Sequence, residues 1–143
     1  MNINRRPRRT RVLLVEDNDI YAEALQLLLQ SVDRVLVVGR ARNGAEGVAM
    51  ARALVPDCIL MDISMPILDG FEATRLVRDA LTDVRIVMLT SSDDPADRAQ
   101  AEAAGADAYM TKESRVDVLA AAISGATPAR SGVVRATTVV AAA

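Results

Sequence analysis

Short apolar runs alternate with longer amphipathic stretches along this chain. The runs are Val12–Val15, Val35–Val38, Cys58–Met61, Ile86–Leu89 and a weaker Ala108–Met110. An apolar run this short, bounded by turn residues, reads as a buried strand. Between the runs, polar and apolar residues recur with helical spacing near 19–32, 44–55, 70–81 and 95–104, and again from 114 to about 124. Turn residues separate the elements: Asn43-Gly44, Pro56-Asp57, Asp69-Gly70 and Gly105. Pro95 suits a first helical turn, and Ser114 is predicted to cap the last helix.

Strands that each lead into a helix predict a doubly wound α/β domain around a parallel sheet. Parallel strands covered on both faces should be nearly continuous apolar runs, and four of these five are. The segment from Gly125 to Ala143 differs. It is rich in Ala, Thr and Val and has no acidic residue. It reads as a tail, a linker or an added helix near Val133–Ala143. The expected organisation is therefore a basic disordered arm over 1–11, a domain over 12–124 and a tail or linker over 125–143.

Composition narrows the chemistry. At 143 residues the chain favours one domain, and with 2% aromatic residues its core must be aliphatic. One Phe and two Tyr are too few for base-stacking platforms. The single Cys58 precludes an intrachain disulfide and reads as a small buried hydrophobe. With no His, neither a Ser-His-Asp triad nor a His-ligated metal site is available.

The net charge of −2 conceals an asymmetry, because Arg5, Arg6, Arg8, Arg9 and Arg11 crowd the first eleven residues. Without those five, 12 basic residues face 19 acidic ones, a balance of −7. An acidic body argues against direct nucleic-acid binding. The arginines could touch an acidic partner or form a solvated arm. No apolar stretch after them is long enough for a signal sequence. None anywhere matches the roughly 18 residues of a membrane helix, so no membrane role and a cytoplasmic location are expected.

In open α/β sheets, ligands bind beyond the carboxyl ends of the strands. Reading just past each apolar run gives Glu16 and Asp17, then Asp62, then Thr90, Ser91 and Ser92, then Thr111 and Lys112. Each has a bland alternative. Glu16-Asp17 could decorate a helix start, Lys112 could be a surface lysine, and Thr90 could simply end a strand. Their order is what lifts the set: an acid pair, an Asp, a Thr and a Lys at successive strand ends. Three like charges in one pocket repel. A hard cation such as Mg²⁺, bound by carboxylates, waters and phosphate oxygens, relieves that repulsion. Lys112, the chain's one lysine, suits an anionic oxygen left uncovered. An Asp carboxylate can attack phosphorus to give an aspartyl phosphate.

The segments "VLLVEDND" at 12–19, "DCILMDISMPILDGFEATR" at 57–75, "IVMLTSSDD" at 86–94 and "AGADAYMTKES" at 104–114 together resemble a response-regulator receiver domain of two-component signalling. The likeness runs from Val12 to Ile123. It implies a flavodoxin-like sheet of order 2-1-3-4-5 with five helices. It also implies Asp62 as phosphoacceptor, Asp17 as direct Mg²⁺ ligand (Mn²⁺ can replace Mg²⁺) and Glu16 assisting through water. The Ser64 backbone carbonyl would be a further ligand. Thr90 would be the switch hydroxyl, Lys112 the partner of the phosphoryl group, and Tyr109 the switch aromatic that turns inward; a half-buried strand tyrosine is the alternative for Tyr109. Ser64 and Ser92, two residues past Asp62 and Thr90, would tune dephosphorylation. Their small hydroxyls neither block nor strongly activate a water, so an intermediate phosphoryl lifetime is expected.

Two departures from the common pattern matter. Glu113, not Pro, follows Lys112, so no cis peptide is expected there. "GADAY" and "YMTKES" resemble the branch that usually carries a LuxR-type helix-turn-helix output module. The chain is expected to be a stand-alone receiver or the receiver part of a longer regulator. Expected partners are a sensor histidine kinase, a downstream effector or absent DNA-binding output domain, and a second copy in a phosphorylation-linked homodimer. On this reading the chain is no enzyme beyond its own phosphorylation and dephosphorylation. Two other classes compete. A receiver fold used only for interaction would typically lose one of the acid pair, the Asp or the Lys. An Asp-nucleophile phosphatase of the haloacid dehalogenase type would place a second Asp at position 64, where this chain has Ser64.

Overall fold

The computed structural model describes residues 7–125 of the chain. Five strands and five helices alternate: β1 (Thr10–Val15), α1 (Asp19–Gln30), β2 (Val35–Ala41), α2 (Gly44–Leu54), β3 (Cys58–Asp62), α3 (Gly70–Ala80), β4 (Arg85–Thr90), α4 (Pro95–Ala104), β5 (Ala108–Thr111) and α5 (Val116–Ser124). All strands pair in parallel, in the order β2-β1-β3-β4-β5. That is the architecture expected from the apolar runs and the strand order implied by the family resemblance.

The apolar runs are strands because both their faces are covered. Every residue of β3 is buried, as are the last four of β1 and the last five of β4. Their side chains divide into two cores. Leu13, Val15, Ile59, Met61, Ile86 and Met88 pack with residues of α2, α3 and α4. Val12, Leu14, Leu60, Val87 and Met110 pack with residues of α1 and α5. Alternation along each strand thus feeds both layers, and the sheet is sandwiched between helices. Cys58 lies fully inside, and burial pushes its thiol up to about 12, so it stays protonated and inert as the sequence suggested.

Most helix starts carry the caps their sequences advertise. Asn18, Asn43, Asp69 and Asp94 each accept a hydrogen bond from a backbone N–H in the first turn, and Pro95 opens α4. The exception corrects one expectation. α5 begins at Val116 with Arg115 at its cap position and no capping side chain. Ser114 instead closes a turn, with its N–H donating to the Thr111 carbonyl and its hydroxyl 3.4 Å from that of Thr111. β2 also runs three residues beyond its apolar run, to Ala41. Thr10 and Arg11, assigned to the basic arm by composition, belong to β1. Arg8 pairs with the half-buried carboxylate of Asp57 at 3.0 Å, so this arginine meets the domain's own acid. The expected arm residues 1–6 and tail residues 126–143 lie outside the described residues.

The far end of the sheet from the strand carboxyl termini is locked by Arg78 of α3. Its guanidinium donates to the carbonyls of Gly105 (2.8 Å) and Val84 (2.6 Å) and to Asp107 Oδ2 (2.8 Å). Asp107 is itself buried and accepts from the Ile86 N–H at 2.9 Å. Removing the guanidinium leaves two carbonyls without this donor and takes one charged partner from buried Asp107. Arg78→Met is therefore expected to lower the unfolding free energy by about 3 kcal/mol. Urea denaturation checks it, as a lower midpoint at unchanged slope.

Candidate functional site

The strand carboxyl ends bring the sequence's candidate residues to one rim. Glu16 follows β1, and its N–H donates to the Ala41 carbonyl at 2.9 Å. Asp62 is the last residue of β3 and sits beside Leu89 of β4. Lys112 follows β5, with its N–H fixed by the Thr90 carbonyl at 2.8 Å. Backbone pairing thus sets where each side chain starts.

The carboxylates of Glu16, Asp17 and Asp62 each place an oxygen within 4.8 Å of the other two. Glu16 and Asp62 are buried, at 1% and 5% exposure, whereas Asp17 is exposed at the mouth. Lys112 Nζ lies 2.5 Å from Glu16 Oε1 and 3.3 Å from Asp62 Oδ1. The Lys112 ammonium therefore bridges the two buried carboxylates. Burial pushes the Asp62 carboxyl up to about 7, helped by the hydrogen bond and charge of Glu16 and only partly countered by Lys112. For Lys112, burial lowers the proton affinity. The Glu16 hydrogen bond and the Asp62 and Glu16 charges outweigh it and hold the ammonium above its usual range.

Hard oxygen donors at this spacing suit Mg²⁺, and three carboxylates beside a single ammonium leave an excess of negative charge that a cation would relieve. Glu16, Asp17 and Asp62 are the residues that fit it. Ser64 is exposed two residues beyond Asp62, and with Asp17, Met65, Asp69 and Asp97 it lines an open depression. A turn shapes this rim: the Gly70 N–H donates to the Ile63 carbonyl at 2.8 Å, and Ile67 takes the left-handed region at φ 72°.

Thr90 is buried at 5% exposure, and its Oγ1 accepts from the Ser92 N–H at 3.1 Å. The Tyr109 hydroxyl donates to the Ser92 carbonyl at 3.0 Å. Ser92 thereby joins Thr90 to Tyr109 through its backbone. Tyr109 is inside at 1% exposure, not half-buried, and the Arg98 guanidinium lies 5.6 Å from its ring centroid. No described peptide bond is cis, including that after Lys112.

Two residues at the site escaped sequence reasoning. Tyr21 of α1 places its ring centroid 4.8 Å from Lys112 Nζ and its hydroxyl 3.4 Å from the Lys112 carbonyl. A cation over an aromatic face is held electrostatically, so Tyr21 helps orient the ammonium. Nothing in a helical pattern says which strand end a helix residue will cover. Arg40 of β2 donates to the Glu16 carbonyl and pairs with Asp19. The sequence hides it, because the apolar run that marks β2 ends at Val38.

The response regulator receiver domain family matches residues 12–124. Over 113 residues the chain is 38% identical to the transcriptional regulatory protein LnrK of Bacillus subtilis, covering 79% of this chain and 51% of that protein. It is 39% identical to LiaR of the same organism over 116 residues, 81% of this chain and 55% of that one. The chain thus spans about half the length of these curated relatives. Among solved structures, the signal receiver domain of the putative response regulator NarL from Mycobacterium tuberculosis superposes with a TM-score of 0.75 at 31% identity, covering 81% of this chain and 98% of that one. A LuxR-family two-component response regulator from Aurantimonas superposes at 0.78, with 31% identity and 89% of each chain covered.

Proposed function

Because this chain belongs to the response regulator receiver domain family, we propose that it is a phosphorylation switch in which a sensor histidine kinase transfers a phosphoryl group to Asp62. The observation that carries this reading is the convergence of Glu16, Asp17 and Asp62 on one point with Lys112 against two of them. An Asp62 carboxylate oxygen attacks phosphorus, and the phosphorus–nitrogen bond of the donor phosphohistidine breaks. The imidazole nitrogen leaves with the electron pair and takes up a proton. Glu16, Asp17 and Asp62, with the Ser64 carbonyl, would hold Mg²⁺, which would supply charge neutralisation for the oxygens of the transferring group. Lys112 releases its hold on Glu16 and Asp62 and pairs with a phosphoryl oxygen. Thr90 donates its hydroxyl to another, and the Ser92 backbone carries that shift to Tyr109. The face formed by β5 and its flanking helices is where a target reads the change. The partner is an effector or an output domain, with a second copy of the chain in a phosphorylation-linked dimer as a further form of readout. The reaction is expected in the cytoplasm.

Incubation with acetyl phosphate and Mg²⁺ tests this. Intact mass should rise by one phosphoryl group, and chelating the metal should abolish the rise. Ser64 and Ser92 should give the phosphorylated form a lifetime of minutes, read as the decay of that mass; seconds or many hours would contradict their proposed role. Steady turnover of p-nitrophenyl phosphate would point to a phosphatase instead. No phosphoryl uptake, together with partner binding unchanged in Asp62→Ala, would point to a pure interaction module.

Cation binding should depend on pH with a definite sign. Asp62, pushed up to about 7, is largely protonated below that value and must lose its proton to act as a ligand. Mg²⁺ affinity should therefore increase as pH is raised from about 6 to about 8, with proton release on binding. Calorimetry in buffers of different ionisation enthalpy measures both.

A further inference from the structure

The mouth of the acidic cluster is the short loop Glu16–Asn18 between β1 and α1, which ends in Asp19, the first residue of α1. Asp17 sits in the middle of it, exposed, with no hydrogen bond or ion pair of its own among those described. Within the loop the Asn18 N–H donates to Glu16 Oε2 at 3.2 Å, and a second tie comes from the neighbouring edge strand. Arg40 of β2 lies beside Leu14 of β1 in the register, and its side chain is only 10% exposed. Its Nε and Nη2 donate to the Glu16 carbonyl at 3.2 and 2.9 Å, and its Nη1 lies 2.7 Å from Asp19 Oδ1. One planar guanidinium therefore grips the residue before Asp17 and the second residue after it.

We infer that Arg40 is a positioning residue for the cation site: its guanidinium bridges the Glu16 carbonyl and the Asp19 carboxylate, and so holds Asp17 in place to act as a ligand. The inference rests on the reading of Glu16, Asp17 and Asp62 as the cation's carboxylates. The chemistry favours arginine here. A rigid fork can satisfy a carbonyl and a carboxylate at once, whereas an ammonium on a flexible stem can serve them only one at a time or loosely. Arg42 does not duplicate the grip. It is 63% exposed and reaches Asp19 at 3.6 Å without touching Glu16.

Two physical effects of Arg40 oppose each other, and this makes the inference testable by sign. As a positive charge near the cluster, Arg40 repels a cation, so neutralising it would tighten Mg²⁺ binding. As a brace for the loop, it pre-orders Asp17, so removing it would weaken binding. Groups that orient metal ligands typically change affinity by about 10- to 100-fold when lost, and the exposed, peripheral position of Asp17 places the effect here toward the lower end.

The experiment is calorimetric titration of Mg²⁺ into the 143-residue wild-type chain, Arg40→Gln and Arg40→Lys. Both variants are expected to bind about 5- to 30-fold more weakly. Arg40→Lys keeps the charge and most of the aliphatic stem, and with its fold checked by circular dichroism it decides the matter even if Arg40→Gln unfolds. At saturating Mg²⁺, the rate of phosphorylation by acetyl phosphate should return to within about twofold of wild type, separating a lost ligand geometry from lost chemistry. Unchanged affinity in Arg40→Lys, or tighter binding in Arg40→Gln, overturns the inference and leaves the cation site standing. A wild-type chain that takes up no Mg²⁺ overturns the cation site itself, and the role of Arg40 with it.

Discussion

Asp62→Asn is expected to abolish phosphoryl uptake while making the folded domain more stable. The loss follows from removing the nucleophilic oxygen; an amide cannot form the acyl phosphate. The gain follows from the same crowding that suits Asp62 to bind a cation. Its folded carboxyl titrates at about 7, against 3.8 for an unperturbed Asp. The folded state therefore holds this proton more tightly than the unfolded chain does. Between those two values stability falls as pH rises, and above about 7 the deficit is constant. Asn has no proton to lose, so it escapes the deficit. Hydration at the mouth of the cluster and its coupling to Glu16 and Lys112 reduce the gain to about 2 kcal/mol at pH 8, or a Tm higher by roughly 5–10 °C. The gain should shrink at pH 6 and should reverse when Mg²⁺ stabilises only the wild type. Thermal melts at the two pH values, with chelator and with Mg²⁺, measure all three effects.

Gly70→Ala is expected to be among the most damaging single-methyl changes in the domain. A Cβ on Gly70 would stand 2.1 Å from the Asp62 carbonyl oxygen and 2.9 Å from Ile63 Cα, both backbone atoms. Neither can step aside as a flexible side chain would. The Gly70 N–H also bonds the Ile63 carbonyl, so α3 cannot retreat without breaking that contact. Overpacking of this kind costs about 1–3 kcal/mol, and the rigid partners place Gly70→Ala at about 3. Since the atom struck is the carbonyl of Asp62, phosphorylation should slow as well, beyond what the unfolded fraction explains. Urea midpoints and acetyl phosphate kinetics on the same preparation separate the two losses. Gly47→Ala is the control. Its new methyl would meet the side chain of Val15 at 2.8 Å, away from the Asp62 backbone, so it should cost stability without a specific loss of phosphorylation rate.

Much of this site was legible in sequence because it is built at strand ends. β1, β3 and β4 are covered on both faces, so their apolar runs are unbroken and the first polar residues after them must lie at one rim. Asp62 and Thr90 stand out in the sequence for that reason, and Glu16, Asp17 and Lys112 with them. The edge strand was harder. Gly39 and Arg40 interrupt the apolar pattern of β2, which is only partly buried, so the strand's last three residues and the brace they carry did not register. Tyr21 reaches Lys112 across the packing of α1 on the sheet, a contact between residues 91 positions apart that no local pattern encodes. Ser114 misled for the opposite reason. It is a good capping residue by type, but its hydroxyl faces Thr111 and α5 starts two residues later. The inward placement of Tyr109 depends on the Ser92 carbonyl, which the chain presents only once β4 has turned into α4.

The most direct test of Asp62 as phosphoacceptor is chemical trapping. After treatment with acetyl phosphate and Mg²⁺, borohydride reduces an aspartyl phosphate to homoserine, and fragment masses of the peptide spanning Cys58–Arg75 locate the change. The prediction is reduction at position 62 alone, absent when the metal is chelated. Reduction at Asp17, at another acidic residue, or at none while intact mass still rises would contradict the assignment.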